Sequence, residues 1–199
     1  MPHPTLLARA TLLGVVLCWI FFAVIFLLRK RPPKAPEAKR DPSATVGIVL
    51  QMVGFFLVWF QPPGQPFLPP VAVLSGMGGI VFAVSTVGLA AASGWLLESS
   101  VCTLGKQWAW QARLVEGHQL ITTEPYAHVR NPIYTGMFGM LIATGLATEH
   151  WVGLVVAMVI FAAGMVIRVR SEEKLLRTEF GEEFEQYKKR VPAVLPGIF

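Results

Sequence analysis

The chain has 199 residues, of which 54% are hydrophobic and only 15% charged, and its mean hydropathy is +0.56. That balance is too apolar for a soluble domain of this length, and the apolar residues come in long uncharged blocks, so a polytopic membrane protein is expected. The net charge of +5 does not call for nucleic acid, because Lys and Arg collect in 29–40, in the central polar region and in 168–190, while the connections 61–70 and 149–150 hold none; this is the positive-inside pattern.

The first apolar run, 10–28, is long enough to cross about 30 Å of hydrocarbon at about 1.5 Å per residue. No small-x-small cleavage pattern follows it, and Arg29-Lys30-Arg31 reads as a stop-transfer flank, so it is expected to be a retained helix. The stretch 29–43 is basic and Pro-rich, an extended cytoplasmic linker next to anionic headgroups. A second span, 44–60, carries Trp59 near its outer end as an interfacial aromatic. The uncharged, Pro-rich loop 61–70 is a short external turn. A third span, 71–97, has Gly79 with Ala83 and Ala90 with Gly94 at four-residue spacing, which favours close helix packing.

The chain then returns to the cytoplasmic side over 98–130, where Trp108 and Trp110 suit interfacial anchoring. The runs 132–148 and 151–169, joined only by Glu149-His150, form an antiparallel hairpin, with Pro132 in the first helical turn. From 171 a charged helix with Leu176, Phe180, Phe184 and Tyr187 on one face is expected to end near Pro192. The fold class is therefore an all-α integral membrane protein of about five transmembrane helices. Its N-terminus lies outside, and a cytoplasmic segment and a C-terminal amphipathic helix complete it. Two parts are expected: three membrane helices with the basic linker in 1–103, and the polar segment, hairpin and terminal helix in 104–199.

Chemistry-bearing residues concentrate in 118–134 and 168–187, which should form two walls of one site. Pro125 and Pro132 shape the first cluster, since each holds its preceding residue extended. The candidates are Gln111, His118, Tyr126, Arg130, Asn131, Tyr134, Arg168, Glu172 and Glu173. Cys18 and Cys102 share no ligand spacing, and no HExxH, His pair at helical spacing, Gly-rich phosphate loop or GxSxG elbow occurs, so no metal is expected. The bland readings are an Arg168 that snorkels to headgroups, an Arg168–Glu172 surface ion pair, and His128, Glu149 and His150 as interfacial residues.

The block His118-Gln-Leu-Ile, Tyr126, Arg130-Asn-Pro-x-Tyr134, then Arg168-x-x-x-Glu172-Glu173 and Phe180-Gly181 through Tyr187, Arg190 and Pro192 resembles the isoprenylcysteine carboxyl methyltransferase family and the wider membrane phospholipid methyltransferases. The resemblance covers roughly 104–196. It implies an integral-membrane, multi-pass enzyme that uses S-adenosylmethionine on the cytoplasmic side. Gln111, His118, Gln119, Leu120, Ile121, Tyr126, Asn131, Pro132, Ile133 and Tyr134 would hold the cofactor, His118 to Ile121 as a strand-like segment. Glu172 would bind it from the other side, and Arg168 would face a lipophilic or lipid-anchored methyl acceptor among membrane lipids. Two departures stand out: Asn131 where the family usually has His, and Glu124 where it has Gly. Asn still donates and accepts hydrogen bonds but cannot become cationic.

A carboxylate acceptor is ionised at neutral pH and needs no base, whereas the amine of a phospholipid needs a neutral nitrogen and a proton acceptor such as Glu173. A membrane reductase using NADPH and a non-catalytic scaffold complete the alternatives. A stabilising response to S-adenosylhomocysteine, to NADPH or to neither separates them.

Overall fold

The computed structural model describes residues 6–28, 37–41, 43–60, 76–108, 113–115, 117–148 and 150–194. Six helices, α1 (Leu6–Leu28), α2 (Ser43–Trp59), α3 (Met77–Leu104), α4 (Pro132–Thr148), α5 (Trp151–Phe180) and α6 (Glu182–Arg190), carry most of these residues. Three of them, α1, α3 and α5, are long and apolar enough to cross a membrane; α2 and α4 are apolar but shorter, 17 residues each. The linker 29–43 is described only in part, and the 61–70 turn, Trp110 and Glu149 lie outside the described residues.

Two boundaries differ from the pattern of apolarity. Helix α3 runs on to Leu104 rather than stopping at 97, and α5 continues unbroken through the expected membrane edge to Phe180. Apolarity ends where lipid ends, but a helix already formed keeps its backbone bonds until something interrupts it. Gly105, at φ +54°, ends α3, and Gly181, at φ +50°, separates α5 from α6. Both sit in the left-handed region that glycine enters without a Cβ penalty. The expected terminal helix is thus residues 171–180 of α5, nearly three turns, plus a distinct α6.

One departure from an all-helical chain is a small antiparallel pair, β1 (Glu37–Arg40) with β2 (Arg113–Val115). It ties the linker after α1 to the segment before the polar block. Asp41 then opens α2, its Oδ1 accepting from the Ser43 amide at 2.9 Å and the Ser43 hydroxyl at 2.7 Å. Those two bonds hold the Asp41 carboxyl below its ordinary range, the hydroxyl contributing most.

The tightest helix pair is α2 against α5. A Cβ on Gly47 would meet Arg168 Cγ at 2.4 Å and the Gly164 carbonyl at 2.7 Å, and one on Gly164 would meet the Gly47 carbonyl at 2.7 Å. Two glycines facing each other let the backbones approach as no larger residues could. Gly136 and Gly139 do the same for α4 against Ser93 of α3. The expected small-residue positions Gly79, Ala83, Ala90 and Gly94 are buried on α3. The largest core cluster, with Phe55, Leu97, Met137, Leu141 and Phe161, gathers α2, α3, α4 and α5 beneath the polar block.

Candidate functional site

The polar block 117–131 has no regular secondary structure and crosses one end of the bundle; His118 to Ile121 is not part of a strand. Its anchors are specific. The Gln119 amide donates to Gln107 Oε1 at 2.5 Å, and the Tyr126 hydroxyl donates to the Ser100 carbonyl at 3.3 Å. From the other side the Tyr187 hydroxyl donates to the Tyr126 carbonyl at 2.6 Å. Burial pushes the Tyr187 hydroxyl up to about 12, so it keeps its proton and stays a donor.

The tail after α6 is stitched to the start of α4. The Arg130 and Asn131 amides donate to the carbonyls of Pro192 (2.8 Å) and Ala193 (2.9 Å). Asn131 Nδ2 adds a second bond to the Ala193 carbonyl at 3.0 Å, and the Thr135 hydroxyl donates to Val194 at 2.7 Å. The guanidinium of Arg130 pairs with Glu173 at 2.7 Å and also donates to the carbonyls of Lys188 and Val191. Glu173 takes a second cation, Lys188, at 2.7 Å. Arg130 and Glu173 are therefore committed to holding the block, α5 and α6 together.

Between these elements lies a cavity of about 550 Å³, well within the range of small-molecule sites. Its polar end is formed by His118, Gln119, Tyr126, Asn131, Tyr134 and Glu172, with Arg168 beside them; Leu120 and Ile121 also contribute. Pro132 is buried at the head of α4, where its neighbours Asn131 and Ile133 form the wall. Gln111 lies outside the described residues. Arg130 and Glu173 line it too, so twelve of the sequence-based candidates meet at a single cavity.

Within it, Arg168 and Tyr134 frame Glu172. The Tyr134 hydroxyl donates to Glu172 Oε1, and Arg168 Nη2 lies 3.8 Å from the same oxygen. The guanidinium carbon sits 4.7 Å above the Tyr134 ring, and Nη1 donates to Gln51 Oε1 at 3.0 Å. Glu172 keeps 30% of its side chain accessible, enough to meet a ligand. His118 packs 6.1 Å from the Phe180 ring, and its Nδ1 is buried with no hydrogen-bond partner among the described residues. Burial lowers the His118 pKa, with Glu179 opposing the shift, which favours the neutral ring, whose nitrogens offer a lone pair and an N–H to a ligand. Among the described residues no three His, Cys, Asp or Glu side chains gather as a metal would require.

The other end of the cavity is apolar and belongs to α1 and α2: Trp19, Phe22, Met52, Phe55, Phe56 and Trp59. Trp19 and Trp59 rings meet edge-on at 6.3 Å, and Trp19 and Phe55 at 5.0 Å. Trp59 therefore walls the cavity, and so does the buried Trp108, where interfacial anchoring was expected. Gln51 also went unnoticed in the sequence, although a single amide in an apolar run was the available signal. His128 instead faces solvent, paired with Glu124 at 3.3 Å.

Fold and site together define an integral membrane protein with a ligand-sized cavity lined by ionisable groups and by aromatic side chains of α1 and α2. Residues 77–183 match the phospholipid methyltransferase family, and the chain belongs to that family. The match takes in α3 as well as the polar block, and so begins earlier than the motifs alone indicated. The chain is 28% identical over 120 residues to a protein-S-isoprenylcysteine O-methyltransferase of Schizosaccharomyces pombe, covering 59% of this chain and 51% of that protein. It is 37% identical over 89 residues to the mouse (Mus musculus) protein of the same name, covering 44% and 31%. A nickel-cobalt-cadmium resistance protein, NccN, of Alcaligenes xylosoxydans xylosoxydans is 32% identical over 106 residues, covering 52% and 48%. The chain spans about half the length, or less, of these curated relatives.

Proposed function

We propose that the protein is a membrane methyltransferase that uses S-adenosylmethionine to O-methylate the carboxylate of a lipophilic or lipid-anchored acceptor of the isoprenylcysteine type. The observation that carries this reading is the two-ended cavity, with Glu172, His118 and Arg168 at one end and the aromatic residues of α1 and α2 at the other. The fit to the cofactor rests on the donor set. Glu172 offers an accessible carboxylate to a cationic, hydroxyl-bearing ligand, and the unpartnered His118 Nδ1 offers a polar contact beside it. Gln119, Leu120, Ile121, Tyr126, Asn131, Ile133 and Tyr134 complete that wall.

Bound there, S-adenosylmethionine supplies a sulfonium methyl open to in-line attack. The chain's own residues do the rest. Arg168 presents a planar fork to the acceptor carboxylate, holding it in line. The aromatic residues of α1 and α2 keep the acceptor's tail and exclude water. No general base is needed for a carboxylate of pKa about 4. An amine acceptor fits less well: Glu173 is engaged by Arg130 and Lys188, and Arg168 would repel an ammonium.

In this reading α2 and α4 also span, giving five helices with the N-terminus outside. The linker 29–43, the C-terminal tail and the cofactor site then share the cytoplasmic face. The test uses purified protein with labelled S-adenosylmethionine and two acceptors, an S-prenylated cysteine with a free carboxylate and phosphatidylethanolamine. Label on the carboxylate, and stabilisation by S-adenosylhomocysteine, are expected. Label on the amine overturns the acceptor, and a response to NADPH alone overturns the cofactor. Arg168→Lys should keep S-adenosylhomocysteine affinity and lose turnover, because ammonium lacks the fork; Arg168→Ala should lose about 2–4 kcal/mol of transition-state stabilisation.

A further inference from the structure

We infer that Gln51, on α2, is a positioning residue that sets the direction of the Arg168 guanidinium at the acceptor end of the cavity. This rests on the reading of Arg168 as the acceptor's partner. Gln51 is fully buried. It does not line the cavity; it stands behind Arg168, accepting from Nη1 at 3.0 Å. The stem of Arg168 passes over Gly47, one turn earlier on α2, where a Cβ would come within 2.4 Å of Arg168 Cγ. Helix α2 thus provides both the groove for the stem and the acceptor for one amino group.

The remaining contacts then fix the plane. Glu172 stands 3.8 Å from Nη2, and the Tyr134 ring lies 4.7 Å from the guanidinium carbon. A guanidinium has five donors in a rigid fork, so holding Nη1 from behind fixes where the others point. The cost of the arrangement is visible in the same residue: Gln51 Nε2 is buried and has no hydrogen-bond partner among the described residues. An amide kept in an apolar span with half of its hydrogen bonding unmet marks a functional demand on the half that is met. If Gln51 only bound α2 to α5, its loss would lower stability and leave acceptor kinetics alone.

The experiment compares Gln51→Leu, Gln51→Glu and a control, Val58→Ala, which trims a fully buried residue on the same helix away from Arg168. The readouts are melting temperature, S-adenosylhomocysteine affinity, and kcat and KM for the S-prenylated cysteine acceptor. Gln51→Leu should lower kcat/KM for the acceptor at least tenfold with cofactor affinity within twofold of wild type, and Val58→Ala should lose stability without that kinetic loss. Gln51→Glu keeps an acceptor for Nη1 but neutralises the cation facing an anionic substrate, so it should also lose turnover while binding S-adenosylhomocysteine normally. That variant carries the test should Gln51→Leu not fold. Acceptor kinetics within threefold of wild type in either folded variant, or a parallel loss of cofactor affinity, overturns the inference. The wild-type protein separates the two ideas: no transfer to a carboxylate overturns the acceptor reading and this inference with it, whereas an active wild type and an equally active Gln51→Leu overturn only the inference.

Discussion

Two adjacent glutamates on α5 should fail in opposite ways when removed. Glu173 is 13% exposed and holds Arg130, itself 6% exposed, at 2.7 Å. Breaking a buried pair by removing one partner costs about 3–5 kcal/mol, because the other charge is left buried. Arg130 keeps the carbonyls of Lys188 and Val191, so the lower end, about 3 kcal/mol, applies to Glu173→Ala. The second cation, Lys188, is 37% exposed, and Lys188→Ala should cost only about 0–1 kcal/mol. For a chain of this length that is a fall of about 6–12 °C for Glu173→Ala against at most about 4 °C for Lys188→Ala. Glu172→Ala takes the acceptor from the buried Tyr134 hydroxyl and so also costs some stability, but its distinguishing loss should be a poor response to ligand. Loss of one charge-assisted bond, about 2 kcal/mol, weakens affinity about 30-fold. At a concentration that is about 100 times the wild-type Kd, S-adenosylhomocysteine then stabilises by about 0.9 rather than about 2.7 kcal/mol. Thermal unfolding in detergent, with and without S-adenosylhomocysteine, reads both effects. A Glu172→Ala protein that keeps the full ligand response, or a Glu173→Ala protein as stable as Lys188→Ala, refutes the division of labour.

Other outcomes follow from single contacts. Gly47→Ala should cost about 1–3 kcal/mol by forcing α2 off α5, whereas Gly88→Ala, which meets nothing within 4 Å on α3, should be neutral or stabilising; melting temperatures decide. His118 has a folded pKa below its ordinary 6.5, so its contribution is complete above 6.5 and is lost as pH falls toward the folded value; His118→Gln should flatten that part of the stability–pH curve. Asp41, also lowered, stabilises above its ordinary 3.8 and loses its contribution as pH falls through the folded value; Asp41→Ala should remove that acid limb and about 1 kcal/mol of helix start. Cysteines introduced at Pro36 and Gln65, with Cys18 and Cys102 replaced, should label from opposite sides of intact cells; equal labelling refutes the five-span topology.

The polar wall of the cavity was legible in the sequence because polar residues between apolar runs carry their own signal: His118, Tyr126, Tyr134, Arg168 and Glu172 stand out and do meet. The apolar wall was not. Lipid is as apolar as leucine, so a span's sequence does not say which face meets protein, and Phe22, Phe55 and Phe56 look no different from lipid-facing residues. Helix ends were misjudged for a related reason: apolarity reports the bilayer, while Gly105 and Gly181 report the backbone. The short pairing of 37–40 with 113–115 had no alternating pattern to announce it.

Asn131 shows how a departure from the family's pattern can be accommodated. Its amide N–H and its Nδ2 both reach the Ala193 carbonyl, and Arg130 beside it takes Pro192, so this pair clamps the tail over the head of α4. A neutral amide meets that carbonyl at any pH, and clamping it needs no charge. With Nδ2 spent on the tail, the donor side of Asn131 is occupied by the protein itself. Asn131→His should therefore retain the fold only where the ring can still donate to Ala193. A larger stability loss in Asn131→Ala than in Asn131→His, measured by thermal unfolding, would follow from the clamp, and the reverse order would refute it.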